Sequence, residues 1–202
     1  MKRFPPFLFA AALAVVLLTG CDRLMSVEQR LDRAQSAFDA GHDSAAMADV
    51  KTVLEREPAN AAGRILLARL TLRLGDATTA RKELERAVQA GVDASTASEL
   101  DQSILLAQGR FADALAAAQK EAGDQSTRRQ LVIVEALMGL GRAEEARKAL
   151  DAALAAAPQD REVQLADARW AWASGSIKEA GEALDRLLAK YPDFARAAFY
   201  RG

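Results

Sequence analysis

The sequence predicts an all-α chain of repeated helix–turn–helix units, and three observations predict it. Five glycines, Gly41, Gly75, Gly109, Gly141 and Gly175, stand 34, 34, 32 and 34 residues apart. Five residues after each comes an alanine: Ala46, Ala80, Ala114, Ala146 and Ala180. Nine residues after each comes Val50, Leu84, Ala118, Leu150 or Leu184. A fixed period of this length is the mark of stacked supersecondary units. Composition agrees. Half of the 202 residues are apolar and only 5% are aromatic, which suits closely packed, alanine-rich helices.

The first element is a leader. Lys2 and Arg3 give a basic start, and Phe7–Leu18 is a run of twelve apolar residues. A membrane-spanning helix needs about 20 such residues, so residues 1–20 read as a secretory signal with a short apolar core. Leu18, Thr19, Gly20 and Cys21 then resemble the bacterial lipobox. The resemblance implies cleavage before Cys21 and acylation of its sulfur and of the new amino terminus. One acyl chain holds a membrane weakly and two hold it firmly. Residues 21–26 become a lipidated terminus and tether, spanning at most ~17 Å when extended. Loss of the leader removes Lys2, Arg3 and no acids, leaving 25 basic against 28 acidic residues, a net −3. Asp22 favours retention in the inner membrane and Arg23 weakens that preference, so the membrane stays undecided.

Residues 27–202 form the repeat array. In the second unit, Ile65, Leu66, Ala68, Leu70 and Leu72 mark a strongly apolar first helix, which Gly75-Asp76 stops. Ala80, Leu84, Ala87 and Val88 recur on one face of the second helix, which Gly91 ends. The alanine after each turn glycine is small because two helices must approach closely there. Pro58, Pro158 and Pro192 close their units, since proline cannot continue a helix but can precede a new one. Exposed faces carry i,i+4 pairs such as Glu144 with Lys148 and Glu182 with Arg186. The third unit is the weakest. Ala118 and Glu121 break the pattern, and the missing residues before Gly141 read as a shortened turn. After Pro192, Phe194, Phe199 and Tyr200 begin a sixth first helix. They either pack back on the fifth unit as an aromatic cap or belong to a longer array, and the second reading is preferred.

These units resemble the tetratricopeptide repeat (TPR), a 34-residue helix–turn–helix. The likeness is carried by the small first-helix position (Ala34, Ala68, Ala168), the turn glycine, the second-helix alanine and the closing proline. It implies a right-handed α-solenoid of about five repeats whose first helices line a concave face. By that analogy the inner face takes Leu31, Gln35 and Phe38 in the first unit and Ile65, Arg69, Leu72 and Arg73 in the second. It takes Glu99, Ser103 and Leu106 in the third, Leu131, Glu135 and Met138 in the fourth, and Leu165, Arg169 and Trp172 in the fifth. Phe38, Leu72, Leu106, Met138 and Trp172 fall on one stripe. Such spacing is also the ordinary signal of inter-helix core. The alternative is a groove for a helix or extended peptide, with Arg69, Arg73 and Arg169 as charged clamps.

Chemistry is sparsely represented. The formal charge is −1 with no basic block, which argues against nucleic acid as partner. One cysteine excludes a disulfide framework and a cysteine zinc site. One histidine, His42, lies in a turn and reads as a solvated residue. Acidic residues fall on exposed helical positions, although Glu99 and Glu135 could form a hidden carboxylate dyad. No nucleotide, zinc-protease or hydrolase motif occurs. The expectation is a non-enzyme without cofactor, metal or small-molecule substrate, binding a protein or peptide in the envelope.

The lipobox followed by residues 34–91 is similar to the start of TPR lipoproteins from PEP-CTERM/exosortase and exopolysaccharide loci. That likeness implies a role in exopolysaccharide export or surface-protein sorting. Pilus-assembly and outer-membrane-assembly lipoproteins share the architecture and are the alternative, as is a non-catalytic subunit of a glycan-processing enzyme.

Overall fold

The computed structural model of the chain describes residues 25–120 and 126–202. Residues 1–24, and with them the leader and Cys21, lie outside the described residues, as do Glu121 and the expected shortened turn. The described residues hold eleven helices and no strand. They are α1 (Val27–Asp39), α2 (Asp43–Arg56), α3 (Ala61–Arg73), α4 (Ala77–Gln89) and α5 (Ala94–Ala107). There follow α6 (Phe111–Lys120), α7 (Thr127–Gly139), α8 (Ala143–Ala156), α9 (Arg161–Ala173), α10 (Ile177–Lys190) and α11 (Ala195–Arg201). They fall into two compact units, one ending at Ala97 and the other running Ser98–Gly202.

Each hairpin turn uses the glycine of the 34-residue pattern. At Gly75, φ is +84°, a conformation that costs a side-chain-bearing residue steric energy. The Gly75 amide donates to the Leu72 carbonyl at 3.0 Å and the Asp76 amide to that of Thr71 at 2.8 Å. This pair of bonds satisfies carbonyls that the helix end leaves open. Asp76 then caps α4, its carboxylate accepting the Thr79 amide at 2.9 Å. The proline joints work in the same economical way. Asn60 N–H donates to the Glu57 carbonyl across Pro58, and the Asn60 side chain accepts the Gly63 amide at 2.8 Å. Asp160 does the equivalent after Pro158, accepting from Glu162 and Val163. One tight turn thus ends a helix and caps the next.

In the first unit α1 packs on α2, α3 on α4, and α3 also meets both α1 and α2. Ala34, Ala46, Val50, Leu66 and Leu70 form its core. The second unit pairs α7 with α8, α9 with α10 and α10 with α11, while α6 lies against α7. All five alanines after the turn glycines are buried, and so are Val50, Leu84, Ala118, Leu150 and Leu184. Phe194 and Ala197 are buried against Leu165, Ala168, Leu184 and Leu187, so this segment packs back on the fifth repeat. Phe199, by contrast, is 80% exposed.

Several charges sit elsewhere than expected. Asp49 and Glu83 are buried, not exposed, because arginines follow them inside. Asp49 accepts Arg30 at 2.8 Å and Arg33 at 2.6 and 2.5 Å. Glu83 accepts Arg64 at 2.6 Å and Arg86 at 2.5 Å. The Arg33 hydrogen bond, then that of Arg30, hold the Asp49 carboxyl below its usual range against the opposing effect of burial. On the exposed faces, Glu145 pairs with Arg142 at 2.6 Å and Glu182 with Lys178 at 3.9 Å. The expected Glu144–Lys148 and Glu182–Arg186 pairs are not made; Glu182 is reached instead by Lys178, one turn nearer the helix start.

Candidate functional site

In the first unit, the C-terminal ends of α1 and α3 lie side by side. Phe38 of α1 is half-buried, and the Arg73 guanidinium of α3 lies 3.4 Å over its ring centroid. Arg73 also donates to the Phe38 carbonyl and to the Asp43 carboxylate, both at 2.8 Å. Such stacking with hydrogen bonds fixes the fork, so Arg73 joins two repeats and is not a free clamp. Leu72 is half-buried beside it. Arg69, one turn earlier, is also half-buried. Gln35 donates to Asp39 at 2.9 Å. Ile65, placed on this face by analogy, is instead buried core, and Leu31 is half-buried against that core.

In the second unit, Leu106 of α5 and Met138 of α7 are half-buried against neighbouring clusters. Trp172 of α9 occupies the equivalent position and is 59% exposed. Arg169 donates to Glu135 at 2.8 Å and its guanidinium lies 5.0 Å from the Tyr200 ring. It too is engaged within the fold. Glu99 pairs with Arg128 at 3.5 Å, and Arg128 donates to the Ser103 hydroxyl at 3.2 Å. Glu99 and Glu135 therefore answer separate arginines and form no dyad. Leu165, placed on this face, is buried core, while Leu131 is half-buried. Of the stripe residues, Phe38 and Leu72 in the first unit and Leu106 and Met138 in the second are half-buried, and Trp172 is exposed.

Two contributors were not anticipated. Tyr200 receives Arg169, and Trp170 packs half-buried between two clusters of the unit. The Glu135–Arg169 pair was legible as one acid and one base 34 residues apart. His42 is exposed before α2 and its side chain caps nothing. Among the described residues no group of three His, Cys, Asp or Glu could hold a metal. Among them, too, no helix is long and apolar enough to cross a membrane.

A tetratricopeptide-repeat family model matches residues 31–101, 103–160 and 131–193. The chain belongs to the tetratricopeptide-repeat family. The match spans both units, and its fold class is the expected helical-repeat solenoid. Proteins of this family are generally non-catalytic scaffolds, and a scaffold for protein–protein interaction is the function class supported for this chain. Solved TPR structures share the fold. A thermophilic TPR protein of Thermus thermophilus, TTC0263, is 18% identical with a TM-score of 0.70, over 87% of this chain and 97% of that one. PilF of Pseudomonas aeruginosa is 15% identical with a TM-score of 0.58, over 86% and 88%. YrrB, described as a TPR protein with an unusual peptide-binding site, is 16% identical with a TM-score of 0.52, over 87% and 92%. At these identities the likeness is one of fold. No curated protein matches the sequence.

Proposed function

We propose that this TPR chain is a lipid-anchored scaffold of the bacterial cell envelope that holds a protein partner near the membrane. Its role is in exopolysaccharide export or PEP-CTERM surface-protein sorting. The observation that carries the binding part is Trp172, 59% exposed where Leu106 and Met138 are half-buried at equivalent positions. A large exposed indole at the end of an apolar stripe is the residue type that dominates binding energy in interfaces. The peptide-binding site for which YrrB is described supports a peptide as ligand. Leu18–Cys21 behind a short apolar leader supports the anchor. On this reading the array, residues 27–202, lies on the periplasmic side, with Asp22 favouring the inner membrane.

Two measurements test it. In a bacterial host given labelled palmitate, the full chain takes up label and Cys21→Ser does not. An unlabelled wild-type chain removes the anchor. In the same cells, a photocrosslinker placed at Met138 captures an envelope protein, and Trp172→Ala reduces capture at unchanged helicity. Capture of an export or sorting component supports the stated role. A pilus-assembly or outer-membrane-assembly component in its place would reassign the pathway.

A further inference from the structure

The peptide unit between Met25 and Ser26 is held at both of its poles. Its carbonyl, that of Met25, accepts a hydrogen bond from the Arg56 guanidinium at 2.8 Å. Its N–H, that of Ser26, donates to the Gln29 side-chain oxygen at 3.0 Å. A peptide unit is planar and does not turn freely about its C–N bond, so bonds at opposite poles fix the whole plate. The two grips come from different helices. Gln29 lies in the first turn of α1 and Arg56 in the last turn of α2. The Gln29 amide also donates to the Ser26 hydroxyl at 3.1 Å, which sets Ser26 as the cap of α1.

α1 and α2 form one helical hairpin, so the start of α1 and the end of α2 lie at the same, open end of it. Met25 therefore sits over that end, between the two helices, and not along the side of the hairpin. The turn end, with Ala40, is a helix length away: α1 has 13 residues, about 20 Å. Asp22, Arg23 and Leu24 separate Met25 from Cys21. From Cys21 to Met25 the chain spans at most ~14 Å when extended. That is shorter than α1, so an anchor at Cys21 meets the bilayer beside the open end and cannot run back to the turn. Glu28, Glu55 and Glu57 stand with Arg56 at the open end, all exposed. This end has no cationic surplus to draw it to anionic headgroups.

We propose that the Met25–Ser26 peptide is a rigid coupling, which seats the open end of the first hairpin on the surface of a phospholipid bilayer with the turn end pointing away. This rests on the reading of Cys21 as lipid-anchored. A tether joined to α1 through free rotations would let the hairpin tumble above the membrane. The coupling instead passes the orientation of two helices to the chain before Met25. Arg56 is a positioning residue, acting through the Met25 carbonyl. The seat is held by the chain and by hydrogen bonds, so it does not weaken with salt as a charge attraction would.

The test uses the full chain, acylated in a bacterial host and reconstituted in vesicles of phosphatidylethanolamine and phosphatidylglycerol that carry a headgroup quencher. Acylation occupies the one native thiol, so a fluorophore goes to a single added cysteine. Ala59→Cys marks the open end and Ala40→Cys the turn end, both exposed positions. The label at the open end loses most of its fluorescence and the label at the turn end keeps most of it, in low and high salt alike. Gln29→Ala with Arg56→Ala brings the two labels to the same quenching at unchanged helical circular dichroism. Arg56→Lys, which keeps a donor, preserves the difference. Equal quenching of both labels without those substitutions, or stronger quenching at the turn end, overturns the seating. An unchanged difference in the double variant overturns the coupling. Loss of the difference in high salt makes the contact a charge adsorption and overturns the coupling as well. A wild-type chain that takes up no labelled palmitate sinks the anchor reading itself, and the seating with it.

Discussion

Asp49→Ala is the substitution expected to damage the first unit most for the atoms removed. Asp49 and Arg30 are each 7% exposed, whereas Arg33 is 44% exposed. When the carboxylate goes, Arg33 can turn into water and loses little. Arg30 cannot. It stays charged between α1 and α2 with its side chain only 7% exposed. Removing one partner of a buried pair costs about 3–5 kcal/mol. Arg30 has a further interaction of its own, which places the expected loss at the low end, about 3 kcal/mol. For a chain of this size that lowers Tm by about 6–12 °C. Urea titration at pH 7, followed by circular dichroism, measures it directly. Asp185→Ala, which removes the exposed pair with Arg201, is the matched control and leaves the midpoint essentially where it was. Joint replacement by Arg30→Met and Asp49→Leu recovers most of the loss, since an apolar pair of similar volume needs no compensation. If Asp49→Ala were no worse than Asp185→Ala, the claim that the buried Arg30 guanidinium depends on Asp49 would be wrong. Acidity offers a second readout. The Asp49 pKa is lowered by the Arg33 and Arg30 hydrogen bonds relative to the unfolded chain. Its contribution is therefore complete above the usual 3.8 and disappears as pH falls below that toward the folded value. Asp49→Asn should flatten the wild-type stability curve in that window.

Other expectations concern the helices themselves. Gly181 lies inside α10 with open space where a Cβ would sit, so Gly181→Ala should raise stability by about 0.5–1 kcal/mol in the same titration. Gly139→Ala should do the reverse, costing about 1–3 kcal/mol, because its Cβ would enter the Phe111 ring; Phe111→Leu in the same chain should give part of that back. Ser26→Ala removes the hydroxyl that accepts the Gln29 amide at the start of α1 and should cost about 1 kcal/mol, seen as faster amide exchange there. Iodide should quench Trp172 and spare the half-buried Trp170, and bound peptide should protect Trp172; equal quenching of both would place the open face elsewhere.

The period was the most legible feature of the chain. Gly41 through Gly175, each with its alanine five residues on, marked the turns and the close helix contacts because both depend on one residue having little or no side chain. The buried acids escaped notice for a different reason. Asp49 and Glu83 look like any solvated helix acid until Arg30 and Arg64 are seen 19 residues before them, at the same place in consecutive repeats. The intramolecular partners of Arg73 and Arg169 were hidden in the same way. As cations on an inner face they suggested clamps, and only tertiary structure brings Asp43, Phe38 and Glu135 to them. Ile65 and Leu165 showed that analogy assigns a helical face more coarsely than packing does. Trp172 was legible as a member of the stripe but not as its exposed member, since spacing alone does not separate an exposed position from a half-buried one.

The spacing of the Glu135–Arg169 and Glu162–Arg196 bridges limits how this array can have grown. Helical hairpins multiply readily by unequal crossing-over, which inserts or deletes whole periods. Excising the fourth hairpin would set Arg169 opposite Ser103, and copying the fifth would set one arginine against another. The last two junctions of the second unit thus carry a mating code, and the hairpins they join are no longer interchangeable bricks.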